Sequence, residues 1–159
     1  MQIKLWINNK EVIDDIRPDT LLIDFLRAKG NLSVKRGCET SNCGLCTVML
    51  ENKPILSCST LALRANNLHV TTIEGLQEDA KDFGAFMADE GAEQCGFCSP
   101  GFIMNVLSMV KELNNPTEEE IKRYLEGNLC RCTGYMGQLR AVKKYLELKN
   151  KKEDTHEVC

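Results

Sequence analysis

The chain has no long apolar run: none of its 159 residues falls in a stretch both long and apolar enough to span a bilayer. It also lacks the pattern of a secretory leader, because Met1-Gln2-Ile3-Lys4-Leu5-Trp6-Ile7 alternates from the start, without an apolar core or a small-residue cleavage site. A cytoplasmic location is the expectation. Excess charge of either sign is missing. With 20 Lys and Arg against 23 Asp and Glu, the formal net charge of −3 gives no electrostatic case for nucleic acid or an anionic membrane. There is no G-x-G-x-x-G and no phosphate loop, so a flavin or nucleotide partner has to bind elsewhere. Histidine occurs only twice, as His69 in a predicted strand and His156 near the C-terminus. Neither makes a Rieske site, where two histidines replace two cysteines.

Cysteine is what the chain has. Eight of nine fall into two tetrads, Cys38, Cys43, Cys46, Cys58 and Cys95, Cys98, Cys130, Cys132. The first reads Cys-x4-Cys-x2-Cys-x11-Cys, the plant-type ferredoxin spacing for a 2Fe-2S cluster; the second, Cys-x2-Cys-x31-Cys-x-Cys, is unlike it. In a reducing compartment such patterns bind metal more often than they form disulfides. A 2Fe-2S cluster needs four thiolates, two for each iron, with nearby amide N–H groups to stabilise its negative charge. Gly37, Gly44, Gly96, Gly101, Gly127 and Gly134 flank the tetrads and are expected to let backbone amides turn towards sulfur. Four thiolates also make a structural zinc site, but zinc usually pairs two short Cys-x2–4-Cys knuckles, unlike a triple-cysteine loop or a Cys-x-Cys pair. Two dissimilar clusters in one small chain suggest an electron relay. Cys159 ends a polar tail, 149–159, and reads as a surface thiol without a role.

The hydrophobic period changes near Gly75. Before it, Ile3, Leu5 and Ile7 alternate, Asn8-Asn9 marks a turn, and Val12, Ile13 and Ile16 suggest a returning strand. Asp19 or Thr20 is expected to cap a short helix through Leu21, Leu22, Phe25 and Leu26, and further strands are predicted over 47–50, 54–56 and 68–73. After Gly75 the spacing is helical. Phe83, Phe86 and Met87 share one face, as do Phe102, Ile103, Val106, Leu107, Val110 and Leu113. Thr117 through Glu120 has capping-box form, and a last helix is predicted from about Gly137 to Leu148. The prediction is an α+β chain: a mixed-sheet domain over 1–75, a four-helix domain over 76–148 and the polar tail.

Arg36-Gly37-Cys38 through Cys43-Gly44-Leu45-Cys46-Thr47-Val48, Gln94-Cys95-Gly96-Phe97-Cys98-Ser99-Pro100-Gly101, and Gly127-Asn128-Leu129-Cys130-Arg131-Cys132-Thr133-Gly134-Tyr135 come in that order. From about Met1 to Leu148 the chain thus resembles the small iron–sulfur subunit of the molybdenum hydroxylases, a family that includes xanthine dehydrogenase and aldehyde oxidoreductase. The resemblance implies a β-grasp ferredoxin-like domain followed by a four-helix-bundle domain, each with one 2Fe-2S cluster. It also implies a large partner subunit carrying molybdopterin and a medium one carrying FAD, assembled as a dimer of heterotrimers. It places the Cys95/Cys98/Cys130/Cys132 cluster next to the pterin, with Gln94 and Cys132 nearest to it, and the Cys38/Cys43/Cys46/Cys58 cluster towards the flavin. An N-heterocycle such as a purine is the expected substrate class. Ser41-Asn42 stands where such subunits commonly have Gly-Glu, and Met136-Gly137-Gln138 is atypical after Tyr135. Two other readings stay open: a free-standing two-cluster carrier resembling a ferredoxin, and a zinc-stabilised interaction module.

Overall fold

The computed structural model describes residues 1–156, with side chains through residue 150. The alternating first segment forms a hairpin in which β1 (Gln2–Ile7) pairs antiparallel with β2 (Lys10–Asp15) and Leu5 lies opposite Val12. Asn8 and Asn9 close it at φ of 50° and 65°, the left-handed pair that a tight hairpin turn requires and asparagine tolerates. Ile3, Leu5 and Ile7 are buried on one face. Helix α1 (Leu22–Ala28) packs Leu22, Ile23, Phe25 and Leu26 into the same core, which Val48 and Val70 complete. Strands β3 (Thr47–Leu50), β4 (Lys53–Leu56) and β5 (His69–Thr71) finish a five-stranded sheet ordered β2-β1-β5-β3-β4. Only the β1–β5 pair is parallel. Pro54 is tolerated because β4 is an edge strand.

The start of α1 departs from expectation, since neither Asp19 nor Thr20 caps it. Leu21 is the N-cap and makes no side-chain bond. Asp19 is taken by the Arg17 guanidinium, and the Thr20 carbonyl accepts from the Ala62 N–H at 2.8 Å. Leu22 in turn donates to the Thr60 carbonyl, and Leu21 bridges Leu61 as an isolated β-pair. A contact from forty residues away therefore satisfies the helix start.

Four helices follow: α2 (Gln77–Asp89), α3 (Ser99–Glu112), α4 (Glu118–Leu125) and α5 (Met136–His156). The capping box forms, with Thr117 Oγ1 accepting from the Glu120 N–H and Glu120 Oε2 accepting from the Thr117 N–H at 2.7 Å. Phe83 packs against Tyr145 across α2 and α5, ring centroids 5.1 Å apart. Helix α3 was expected to bury one face, yet Met104, Ser108 and Met109 are buried as well. The reason is tertiary: α3 packs on β3 and β4 of the sheet and also on α2 and α4, so it serves both halves. Helix α5 runs past the expected end at Leu148, to His156. Cys159 lies outside the described residues. Among those residues, no helix is long and apolar enough to cross a membrane.

Candidate metal centres

Cys38, Cys43 and Cys46 lie on the loop between α1 and β3, and Cys58 lies in the short 3-10 turn Ser57–Ser59 that follows β4. The Ser57 hydroxyl donates to the Cys46 carbonyl at 2.7 Å and ties these segments together. Within the loop Glu39 and Ser41 both take left-handed φ, 55° and 62°. This winding turns the backbone N–H groups of Thr40 and Asn42 onto Cys38 Sγ, at 3.4 and 3.3 Å. These two donors hold the Cys38 thiol down at about 6. The flanking glycines account for part of this: the Thr40 and Asn42 amides follow Glu39 and Ser41, whereas the Leu45 amide that bonds Cys43 follows Gly44, at φ 69°. Gly44 and Gly101 also permit close backbone approach: a Cβ on Gly101 would lie 2.3 Å from the Gly44 carbonyl oxygen.

The second tetrad is built from helix ends. Cys95 lies on the loop between α2 and α3, Cys98 is the N-cap of α3, and Cys130 and Cys132 lie on the connection into α5. Pro100 sits in the first turn of α3, and the positive end of that helix dipole meets the site. Thr133 Oγ1 donates to Cys130 Sγ at 3.2 Å, and the Tyr135 hydroxyl accepts from the Cys130 N–H at 3.1 Å. Burial pushes the Cys98 thiol up to about 11 and the Cys46 thiol likewise to about 11. For Cys130 burial acts upwards too, but the Thr133 hydroxyl and backbone outweigh it and the thiol lies below its ordinary range. Gln94 Nε2 donates to the Cys132 carbonyl at 3.2 Å, so the fold brings these two residues together.

The thiols approach one another in pairs. Cys132 Sγ lies 3.6 Å from Cys95 Sγ, Cys98 faces Cys130, Cys46 faces Cys58, and Cys38 faces Cys43. Among the described residues no three Cys, His, Asp or Glu side chains gather as around a single ion. Two thiols, then two more, is the donor set that a two-iron cluster requires, and it differs from the convergent tetrahedron of zinc. The residues present therefore fit a 2Fe-2S cluster at each tetrad. Both sites open on one cleft of about 660 Å³, lined by Cys38 and Cys43 from the first and by all four cysteines of the second. A single hydrogen bond, Leu129 N–H to the Cys43 carbonyl at 2.9 Å, joins the first loop to the residue preceding Cys130.

Of the remaining residues, His69 falls outside the sites. His69 stacks on Trp6, centroids 4.8 Å apart, on the sheet. Arg36 pairs with Asp24 and Glu39, whereas Lys35 lies over the Phe97 ring. Arg131 lines the shared cleft. Thr133 and Gln138 were missed as sulfur neighbours. For Gln138 a signal existed: it stands four residues before Val142, on the face of α5 that goes inward.

Two families match in series, a 2Fe-2S iron-sulfur cluster binding domain over residues 6–68 and a 2Fe-2S binding domain over residues 72–143. The nicotinate dehydrogenase small FeS subunit of Eubacterium barkeri is 40% identical over 133 residues, covering 82% of this chain and 85% of that one. Among solved structures, quinoline 2-oxidoreductase from Pseudomonas putida 86 contains a chain that superposes with a TM-score of 0.84 at 34% identity, covering 92% of each. Aldehyde oxidoreductase from Desulfovibrio gigas gives 0.85 at 34% identity; 96% of this chain is covered, but only 17% of that much longer one. With a sheet domain and a helical domain each presenting paired thiols, and relatives matched nearly end to end, the chain belongs to the family of small 2Fe-2S subunits of the molybdenum hydroxylases.

Proposed function

We propose that Cys38, Cys43, Cys46 and Cys58 hold one 2Fe-2S cluster and Cys95, Cys98, Cys130 and Cys132 the other, so that the chain conducts electrons within a molybdenum-dependent hydroxylase. The two-by-two approach of the thiols carries this reading. Bound there, such a cluster supplies one-electron uptake and release. The chain's own residues set where each cluster sits, how its charge is balanced and which face a partner reaches. In this reading residues 1–75 and 76–148 are the two cluster-binding units, and 149–159 extends beyond the second.

The second tetrad faces outwards. Cys95 and Cys132 are exposed, and Phe97, Leu129, Tyr135 and Met136 present apolar surface beside them, about half exposed in each case. Surface of this kind suits a protein interface. We assign it to the large subunit, with Gln94, whose amide both donates and accepts, meeting a pterin edge next to Cys132. The first tetrad then serves the medium, FAD-binding subunit, and the Cys43–Leu129 bond is the backbone link between them. An N-heterocycle is the proposed substrate class, supported by the nicotinate and quinoline enzymes among the relatives. A cytoplasmic dimer of heterotrimers completes the proposal, and the free thiols among the described residues accord with a reducing compartment.

The test is isolation of the tagged chain from its native host. Stoichiometric recovery of two larger chains with molybdenum and FAD, and anaerobic bleaching of the visible absorption by an N-heterocycle, are expected. A chain recovered alone with both clusters intact would make it a free carrier instead.

A further inference from the structure

Gln138 is a polar side chain that the fold buries beside a cysteine of the second tetrad. It is 2% exposed, on the first turn of α5. Its Nε2 lies 3.7 Å from Cys98 Sγ, within reach of an N–H···S bond. Its Oε1 is fully buried with no partner, a penalty that an apolar side chain of the same length would avoid. The orientation follows from the chemistry, because turning the amide over would set the oxygen against the sulfur lone pairs. The placement is also built rather than incidental. Gly137 brings α5 against the C-terminal end of α2, where a Cβ would stand 3.0 Å from the Glu90 carbonyl oxygen, and Arg140 pairs with Glu90 at 2.7 Å to hold it there.

We propose that Gln138 is a positioning residue for the electron-transfer reaction: its amide N–H bonds the Cys98 sulfur and raises the reduction potential of the second centre above that of the same site without the bond. Reduction adds negative charge to the sulfurs, so a donor on sulfur stabilises the reduced form more than the oxidised one. The first tetrad takes its sulfur donors from elsewhere, the backbone of Thr40 and Asn42 on Cys38 and Ser41 Oγ at 3.7 Å from Cys58 Sγ, and none of them involves Gln138. Gln138 therefore sets the second centre independently of the first. The inference rests on Cys98 being a cluster ligand.

The test is an EPR-monitored redox titration of the assembled complex, comparing wild type with Gln138→Met and Gln138→Glu. Methionine keeps the length and unbranched shape and removes the donor. Gln138→Met is expected to disfavour reduction of one centre about tenfold, which is about 59 mV for a one-electron couple, with the other midpoint and the iron content unchanged. Gln138→Glu also loses the amide donor and is expected to move the same midpoint in the same direction, and further at a pH where the buried carboxyl ionises. Unchanged midpoints, an upward shift, or equal shifts of both centres would overturn the proposal. Loss of the second centre in both variants would also overturn it, leaving Gln138 a structural residue. A wild-type complex without two reduced signals fails the ligand assignment instead, which separates the two outcomes.

Discussion

Replacing Gly101 by alanine should weaken the protein, although the same change normally strengthens a helix. Alanine in a helix interior is favoured over glycine by about 0.5–1 kcal/mol. At Gly101 the new Cβ would meet the Gly44 carbonyl oxygen at 2.3 Å and the Leu45 Cα at 3.0 Å, and both are backbone atoms of the loop that carries Cys43 and Cys46. No side chain can swing aside, so either α3 or the cysteine loop must shift. Overpacking of this kind costs about 1–3 kcal/mol. The net expectation is a loss of about 0.5–2 kcal/mol. Gly84 supplies the control within the same fold, since it lies inside α2 and nothing stands within 4 Å of the position its Cβ would take. Gly84→Ala should gain about 0.5–1 kcal/mol. The assay is the denaturant midpoint at which the visible cluster absorption of the complex bleaches, measured side by side for the three proteins. Opposite signs are required. A Gly101→Ala protein as stable as wild type would refute the idea that α3 and the first cysteine loop are locked backbone to backbone.

Asn42→Glu adds a negative charge beside a cluster-binding loop whose Asn42 N–H already bonds Cys38; the first centre's midpoint should fall, and a redox titration showing no shift or a rise would remove the idea. Gln94→Ala should slow reduction of the centres by substrate about tenfold, the scale of one lost hydrogen bond, with iron content unchanged, as rapid mixing would show; an unaltered rate would take Gln94 out of the pterin contact. Glu74 provides a pH test. Burial acts to raise its carboxyl, but hydrogen bonds from Ser33 and Thr72 outweigh this and hold it below its ordinary range. With the folded value depressed, its contribution to stability is present above the unfolded value of about 4.3 and is lost as pH falls through the folded one. Wild type should therefore lose more stability than Glu74→Gln as pH falls below about 4, and parallel pH profiles from denaturant midpoints would contradict the assignment.

What could be read from the chain follows from how local each feature is. The tetrads were legible because their cysteines, except for the gaps from Cys46 to Cys58 and from Cys98 to Cys130, sit within a few residues of one another on loops that short-range geometry shapes. The Asn8-Asn9 hairpin and the Thr117–Glu120 capping box are likewise local. The start of α1 was missed because the segment around Thr60 and Ala62 satisfies it, and no nearby residue announces that bridge. The burial of a second face of α3 was missed for the same reason: helical periodicity finds the face towards α2 and α4, not the face that the sheet covers. The left-handed φ of 62° at Ser41 was not legible either, since serine seldom takes that conformation and nothing local announces it.

The most direct measurement is iron and acid-labile sulfide per chain in the purified complex, taken with the visible spectrum and EPR after reduction. About four irons and four sulfides per copy of this chain, beyond what the partners hold, with two distinct reduced signals, are predicted by eight thiols that approach two by two. Stoichiometric zinc with no visible chromophore would contradict the account and leave the tetrads as structural sites.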